Sequence, residues 1–297
     1  LDTVHDPAGT FKQRTVAPDG KTATGPGCVD MKGGLVIAVA ALEVLEEAGF
    51  DLDWTFVLNS DEETGSYHSE KCLRREAGRA AASGGIGLVL EPALPDGGLV
   101  VERLGSGQFV IQARGRRAAH VGGDFTNGVS AVTALAERLV SIGRLSQPSR
   151  HRIVNVGPVQ GGIGTNVVPD LARAWGNVRY PDQRIADELA RDLDQLSTDP
   201  AKLPSVSVQR SFNRPAKPLT PGVKRLAELA RAAAADLGQE LPFGKTGGVC
   251  DGNILQDEGL PTIDTLGVRG GGLHTPQEWI ELPSLVDRCQ LFAGPIP

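Results

Sequence analysis

Two periodicities alternate along most of the chain. Short apolar runs rich in β-forming residues predict strands, and apolar positions spaced by 3–4 residues predict helices. The predicted strands are 54–59, 86–90, 109–114, 152–159, 172–180, 205–211 and 260–264. The predicted helices are 35–48, 66–82, 129–142, 184–197, 223–237 and a terminal helix from 282. Strands that alternate with helices are typical of an α/β protein with a largely parallel mixed sheet.

The order of elements changes in the middle of the chain. Between 106 and 214 the predicted elements follow the order βαββαβ, the ferredoxin-like arrangement, which we expect to form a compact inserted unit. Such a unit leaves one edge element free to pair with a partner. The segments 1–105 and 215–297 then form the two parts of a second domain. The helix at 35–48 is expected to be mostly buried, and 3–24 to be irregular.

Composition narrows the class of protein. With 297 residues, 40% hydrophobic and 22% charged, the chain has the profile of a soluble globular protein of two ordinary domains. A net charge of −6 without a basic stripe argues against a nucleic-acid partner, and no apolar run approaches the ~20 residues of a membrane span. The four cysteines form no CxxC pair, so we expect reduced, packed thiols rather than disulfides.

Acidic residues follow two of the predicted strands. Asp61, Glu62 and Glu63 come directly after strand 54–59, and Glu91 follows strand 86–90, at the ends where open α/β sheets place their sites. Glu62 and Glu63 should point in different directions, so that one can bind a metal while the other faces a substrate. Clustered carboxylates raise one another's pKa unless cations neutralise them. The alternative is a solvated acidic turn, with Asp30 as a helix cap.

Nine short motifs occur in a fixed order along the chain. They are GPGCVDMKGG, NSDEETGS, LEP, AAHVGG, GTNVVP, VRY, NRPA, TGGVCDG and GGGLHT. In this order they resemble the aminoacylase, desuccinylase and glutamate carboxypeptidase family of dinuclear zinc hydrolases, and most closely its glutamate carboxypeptidase branch. The resemblance implies that 1–105 and 215–297 form the catalytic domain and that 106–214 is a dimerisation or lid domain.

The resemblance also implies a set of metal ligands. Asp30 would bridge two zinc ions, with cobalt or manganese as alternatives; Glu63 and His274 would bind one ion and Glu91 the other. Glu62 would be the general base that takes a proton from water and passes it to the leaving amine. Two divalent ions offset the repulsion among the carboxylates, and mixed nitrogen and oxygen ligation suits zinc. A cis peptide bond is implied after Asp30.

Five further residues match positions that hold the substrate in this family. His120 would stabilise the oxyanion, and Asn166 and Arg214 would bind the substrate's amide and α-carboxylate, with Gly247 and Gly248 in a substrate-binding loop. The implied function is hydrolysis of an amide bond in a small peptide or N-acyl amino acid, by a homodimer formed through the inserted domain. Taken singly, these residues also fit a surface His, a turn Asn and a solvated Arg.

The match begins inside a motif. The family pattern is Gly-His-x-Asp, so Asp2 would orient a ligand histidine placed immediately before Leu1. We therefore expect an N-terminally truncated chain with a weak second metal site, exposed apolar surface and poor solubility. The alternatives are a catalytically inactive dimerising scaffold and an aminopeptidase of the related zinc class. His5, His68 and His151 match no ligand position and are expected to be solvated.

Overall fold

The computed structural model describes residues 1–51 and 53–294, and its elements fall into two compact units. Unit 1 contains Leu1–Arg103 and the chain from Lys217, and unit 2 contains Leu104–Ala216. The backbones of Arg103 and Lys217 donate a hydrogen bond to each other in both directions, each 2.9 Å long. The chain therefore leaves unit 1 and returns to it at two adjacent positions.

The described elements are numbered in chain order. The strands are β1 (Thr15–Val16), β2 (Thr22–Thr24), β3 (Gly87–Leu88), β4 (Leu99–Arg103), β5 (Gly105–Arg114), β6 (Ile153–Gly161), β7 (Leu171–Tyr180), β8 (Ser205–Arg214), β9 (Phe243–Thr246), β10 (Thr262–Ile263), β11 (Gly270–Gly271) and β12 (Trp279–Glu281). The helices are α1 (Gly33–Glu47), α2 (Glu70–Ala82), α3 (Val121–Asp124), α4 (Ala131–Gly143), α5 (Gln183–Asp194), α6 (Pro221–Asp236), α7 (Asp251–Asp257) and α8 (Pro283–Ala293). In the part of the chain that the structure describes, no helix has the length and apolar character needed to cross a membrane.

Unit 1 combines short parallel pairs with an antiparallel sheet. Strand β3 pairs in parallel with β10, and β4 pairs in parallel with β9. Strands β1, β2, β12 and β11 form a four-stranded antiparallel sheet in that order. One apolar core joins α1, β4 and α6, with Ile37, Leu99 and Val223 fully buried. The mixed α/β class is confirmed, but the expectation of a largely parallel sheet is wrong: within the described residues, parallel pairing is confined to two short pairs.

The main elements of unit 2 are β5, α4, β6, β7, α5 and β8, in that order, with the short helix α3 between β5 and α4. Its sheet has the strand order β6-β7-β5-β8, and every neighbouring pair is antiparallel. Along β5, Phe109, Ile111 and Ala113 are buried, as period-2 alternation predicts. They pack with Leu135 of α4 and Leu189 of α5 in a second apolar core.

Capping side chains fix where three of the helices begin. Ser130, Asp182 and Thr220 precede α4, α5 and α6, and each side-chain oxygen accepts a hydrogen bond from an amide of the first turn. Helix α6 then starts with Pro221, whose fixed φ suits the first helical position. These polar residues immediately before apolar runs explain why the predicted starts lie close to the observed ones.

The strand predicted at 54–59 is wrong. The segment has no strand partner within the described residues, and Trp54 and Leu58 are 56% and 49% exposed. A β-rich run becomes a strand only where a neighbouring segment supplies the ladder of backbone hydrogen bonds, so composition alone does not decide it. The segment 3–24 was predicted to be irregular, but it contains β1 and β2, which pair with each other over two residues. Strands this short leave no recognisable periodicity in the sequence.

The prediction that the first helix is mostly buried is also wrong. In α1, Ile37 and Ala41 are buried, whereas Val36, Val39 and Val44 are exposed. The helix is apolar on all sides, so the sequence carries no polar face that would indicate which side packs against the core.

The exposed valines of α1 lead to a solubility prediction. Because apolar patches of this kind promote association, we expect the expressed chain to self-associate in light-scattering measurements. The double variant Val36→Glu/Val39→Lys should increase the soluble monodisperse fraction. Val140→Lys, which changes a similarly exposed valine in α4 of unit 2, is the control. A wild-type chain that is already monodisperse and melts cooperatively would contradict this prediction.

Candidate metal centre

Asp30, Glu63 and His274 meet in unit 1. One ligand atom from each lies within 4.8 Å of the others. His274 Nε2 is 3.2 Å from Asp30 Oδ2 and 3.5 Å from Glu63 Oε2. Two ligand atoms about 2.1 Å from a tetrahedral ion are about 3.4 Å apart, so this spacing fits shared coordination. The three residues come from the turn before α1, the acidic turn at 61–64 and the loop between β11 and β12.

The other two predicted acids lie beside this group. Glu62 and Glu91 line the same groove as Asp30 and Glu63, and its volume is about 660 Å³. Leu88 of β3 and apolar side chains of the segment 54–59 form other parts of its wall. The structure therefore gathers all four carboxylates that the motifs predicted, in a groove with substantial apolar walls.

The electrostatics of this groove favour a bound cation. Burial, together with the charges of Glu62 and Asp30, raises the pKa of Glu91 well above its usual value, against the lowering effect of Arg103. Burial also raises the pKa of Asp30, and burial and the charge of Asp30 raise that of Glu63, although His274 lowers both. The carboxyl groups are thus under-compensated by the nearby protein cations. A divalent ion would supply the missing positive charge.

A close backbone approach brings Asp30 towards Glu91. A Cβ atom on Gly34 would lie 2.2 Å from the carbonyl oxygen of Leu90, so only glycine fits there. The start of α1 therefore lies against the residue that precedes Glu91. The Asp30–Met31 peptide bond is cis, as the family resemblance implied.

Asp251 holds the acidic turn at both ends. Asn59 Nδ2 donates to Asp251 Oδ2 at 2.7 Å, and Ser66 Oγ donates to Asp251 Oδ1 at 2.5 Å. Ser66 is fully buried, has a φ of 54° and donates its amide to the Asp61 carbonyl at 2.7 Å. Because that backbone conformation is unfavourable for serine, these contacts must hold it.

Asp61 and Asp2, two other acids near the candidate ligands, accept hydrogen bonds from backbone amides. Asp61 Oδ2 accepts hydrogen bonds from the amides of His68 and Ser69, so it holds the start of the following helix. Asp2 Oδ2 accepts a hydrogen bond from the Glu63 amide at 3.0 Å. Asp2 therefore lies next to a candidate ligand; its predicted role of orienting a histidine stays a prediction.

The Gly247–Gly248 loop is attached to a buried ion cluster. Arg103 Nη1 donates to the Gly248 carbonyl at 3.3 Å, and its Nε and Nη2 donate to the two Asp264 oxygens at 3.1 and 2.7 Å. Lys217 Nζ lies 3.3 Å from the same carboxylate. We did not single out this cluster from the sequence, although Asp264 ends a predicted strand in the same way that Glu91 follows one.

His120 and Asn166 lie together in unit 2. His120 is exposed and immediately precedes α3, and the next amide, that of Val121, donates to the Asn166 carbonyl at 3.0 Å. Arg214 is buried at the end of β8, where its carbonyl accepts a hydrogen bond from Tyr180 Oη at 2.8 Å. The substrate roles of these residues stay predictions.

His5 corrects one expectation about the remaining histidines. It was expected to be solvated, but its side chain is only 11% exposed and its Nε2 lies 2.6 Å from Glu278 Oε2. His68 and His151 are exposed, as predicted. The cysteines are free thiols, and burial raises the pKa of Cys28 to about 11 and that of Cys250 well above its usual value. Such thiols are weak nucleophiles, in agreement with the expectation that they pack rather than react.

Almost the whole chain matches one known protein family. It belongs to peptidase family M20/M25/M40, whose model matches residues 1–296. Carboxypeptidase G2 of Pseudomonas sp. strain RS-16 is 27% identical over 99% of this chain and 71% of its own length. A succinyl-diaminopimelate desuccinylase of Cereibacter sphaeroides strain ATCC 17025 is 27% identical over 88% of this chain and 70% of its own.

Solved structures share the fold. Aminopeptidase PepT of Bacillus cereus has a TM-score of 0.78 at 23% identity, covering 97% of this chain and 76% of its own. The YXEP protein of Bacillus subtilis, described as a dinuclear metal-binding peptidase, has a TM-score of 0.65 at 19% identity, with 95% and 76% covered. Family membership confirms the prediction from the motifs: the chain is a metal-dependent hydrolase of the metallopeptidase class, acting on amide bonds.

The raised pKa of Glu91 leads to a stability prediction for Glu91→Gln. In a chelator at pH 7.5, this variant should melt at a higher temperature than wild type, because it removes an acid that is harder to ionise in the folded state. Its affinity for a divalent metal ion should fall. The gain should vanish near pH 4, below the ordinary pKa of glutamate, and appear as pH rises towards the raised pKa of Glu91.

Differential scanning fluorimetry across pH checks this prediction. Glu43→Gln, at an exposed glutamate of α1, is the matched control, and the gain for Glu91→Gln should exceed the change that this control shows. A metal-free Glu91→Gln protein that melts below wild type at pH 7.5 would contradict the proposed balance of charges.

Proposed function

We propose that this chain is a zinc hydrolase that releases a C-terminal amino acid, or the amino acid of an N-acyl amino acid, from a small amide. The observation that carries the proposal is the meeting of Asp30, Glu63 and His274, with Glu62 and Glu91 in the same groove. The carboxypeptidase and desuccinylase relatives support this class of substrate. Carboxylate oxygens with one imidazole suit zinc, with cobalt or manganese as alternatives.

The four ligands divide between two ions in the proposed mechanism. Asp30 would serve both ions, Glu63 and His274 would serve one, and Glu91 would serve the other. When bound, a pair of divalent ions polarises the scissile carbonyl and makes a water molecule more acidic. Four carboxyl groups line this groove, and the pKa of three of them is raised, which supports a cation site there.

Glu62 acts as the general base in this proposal. As the water oxygen bonds to the carbonyl carbon, the Glu62 carboxylate accepts the released proton. The carbon–nitrogen bond then breaks, and Glu62 returns the proton to the leaving amine. Two features support the assignment: Glu62 lines the groove, and its charge acts on Glu91.

We assign further residues to substrate binding because they match the family motifs. His120 stabilises the oxyanion, and Asn166 and Arg214 bind the amide and the α-carboxylate. Gly247 and Gly248 provide backbone groups for the substrate.

Unit 2 is proposed to be a ferredoxin-like insertion that forms a homodimer. The strand order β6-β7-β5-β8 and the two helices on one sheet face support this assignment. Strand β6 is an edge strand, and Ile153 and Val159 on it are exposed. An edge with unpaired backbone groups and apolar side chains is a ready surface for pairing with a second copy.

Hydrolysis of a panel of N-acyl amino acids and dipeptides tests the proposed activity. With zinc, Glu62→Gln should lower kcat by about 10²–10⁴-fold, the usual contribution of a general base, and should retain zinc. Glu43→Gln should match wild type. An unchanged kcat in the Glu62 variant would remove that residue from its role. A zinc-loaded wild-type chain that cleaves no panel member would instead favour an inactive scaffold.

Sedimentation velocity tests the proposed dimer. The variant Ile153→Glu/Val159→Glu should raise the dimer dissociation constant by at least about tenfold, because it places like charges opposite one another across the interface. Leu237→Glu, at an exposed leucine of unit 1, is the control. A dimer that is equally stable in both variants would place the interface elsewhere.

A further inference from the structure

A buried carboxylate reaches the loop that carries Asp30. Glu278 is 1% exposed and accepts three backbone hydrogen bonds from this loop. Its Oε2 accepts from the Gly27 amide at 2.7 Å, and its Oε1 accepts from the amides of Val29 and Asp30 at 2.8 and 3.1 Å. The Glu278 side chain therefore contacts the backbone on both sides of Cys28, including the amide of Asp30, the candidate bridging ligand.

A fourth partner completes the surroundings of this carboxylate. His5 Nε2 lies 2.6 Å from Glu278 Oε2, and the His5 ring packs edge-on against Phe11 at 5.0 Å. A carboxylate can accept all of these hydrogen bonds because it has two acceptor oxygens and no donor. Glutamine has one acceptor oxygen, so its NH₂ group would face at least one of the backbone N–H groups.

The backbone of Glu278 belongs to the loop that carries the third candidate ligand. Its amide donates to the Thr275 carbonyl at 3.1 Å, and the Thr275 amide donates to the Gly272 carbonyl at 3.1 Å. These two bonds close the turn around His274, whose φ is 62°. Glu278 is thus fixed to the His274 turn through its main chain and to the Asp30 loop through its side chain.

We infer that Glu278 is a positioning residue of the metal centre, which joins the backbone segments of Asp30 and His274 and so sets the spacing of these two ligands. This inference rests on the proposed metal site. The 3.2 Å separation of the two ligand atoms is then fixed by main-chain anchoring before any ion binds. Groups that orient metal ligands in this way commonly change metal affinity by about 10–100-fold when mutated.

Glu278→Gln tests the inference against a matched control. Glu281→Gln makes the same chemical change three residues further on, at a partly exposed glutamate that pairs with Arg269 at 2.6 Å. Zinc affinity is measured by competition with a chromophoric chelator, and amide hydrogen exchange is measured on the metal-free protein. Glu278→Gln should weaken zinc binding by about 10–100-fold and speed exchange at Gly27, Val29 and Asp30. Glu281→Gln should change neither.

The two measurements separate this inference from the proposed metal site. A wild-type chain that binds no zinc would overturn the metal site, while the exchange data would still show whether Glu278 holds the Asp30 loop. Equal zinc affinity in wild type and Glu278→Gln would overturn the positioning role. Accelerated exchange throughout unit 1, with no preference for the Asp30 loop, would also overturn it, because that result indicates only a general stabilising role.

A second variant covers the case in which Glu278→Gln does not fold. Glu278→Asp keeps the charge but is one methylene shorter, so it cannot reach all three amides from the same backbone position. It should fold and bind zinc more weakly than wild type, with faster exchange at Gly27 and Val29. Wild-type affinity and exchange in this variant would overturn the inference.

Discussion

Electrostatic repulsion within one groove is the constraint on which the rest of unit 1 depends. Asp30, Glu62, Glu63 and Glu91 line the groove with limited access to water, and His274 is the nearby base that approaches two of them. Like charges in such a place raise the free energy of the folded chain unless they are protonated or matched by cations. At the proposed metal site, binding of a cation and conformational stability are therefore linked.

Hydrogen bonds accepted by three supporting carboxylates hold the candidate ligands together in spite of this repulsion. Glu278 accepts hydrogen bonds from amides of the Asp30 loop, and Asp251 accepts hydrogen bonds from both ends of the acidic turn. Asp2 accepts a hydrogen bond from the Glu63 amide. Each of these three residues is itself an acid whose oxygens accept hydrogen bonds. Carboxylates therefore form both the candidate ligands and the residues that hold them in place. The candidate ligands can then keep their positions along the groove.

The sequence revealed the candidate ligands more readily than their supports. Asp30, Glu63, Glu91 and His274 stand in motifs with ordered spacing, so a family resemblance could place them together. Glu278, Asp264 and His5 were missed because a buried charged residue looks like a surface one until its partners are known. The same limit explains the error at 54–59: strand formation depends on a partner segment, which composition does not specify. Helix positions were predicted well where a capping residue precedes an apolar run.

Backbone hydrogen bonds between Arg103 and Lys217 join the two positions at which the chain leaves unit 1 and returns to it. The chain departs and returns at neighbouring positions, and both side chains pair with Asp264 inside unit 1. Arg103 and Lys217 are already hydrogen-bonded to each other. The core of unit 1 therefore depends little on the length and sequence of the segment between them. The junction is thus suited to exchange: a different module, or a short connecting turn, could occupy the position of unit 2 while the same groove persists.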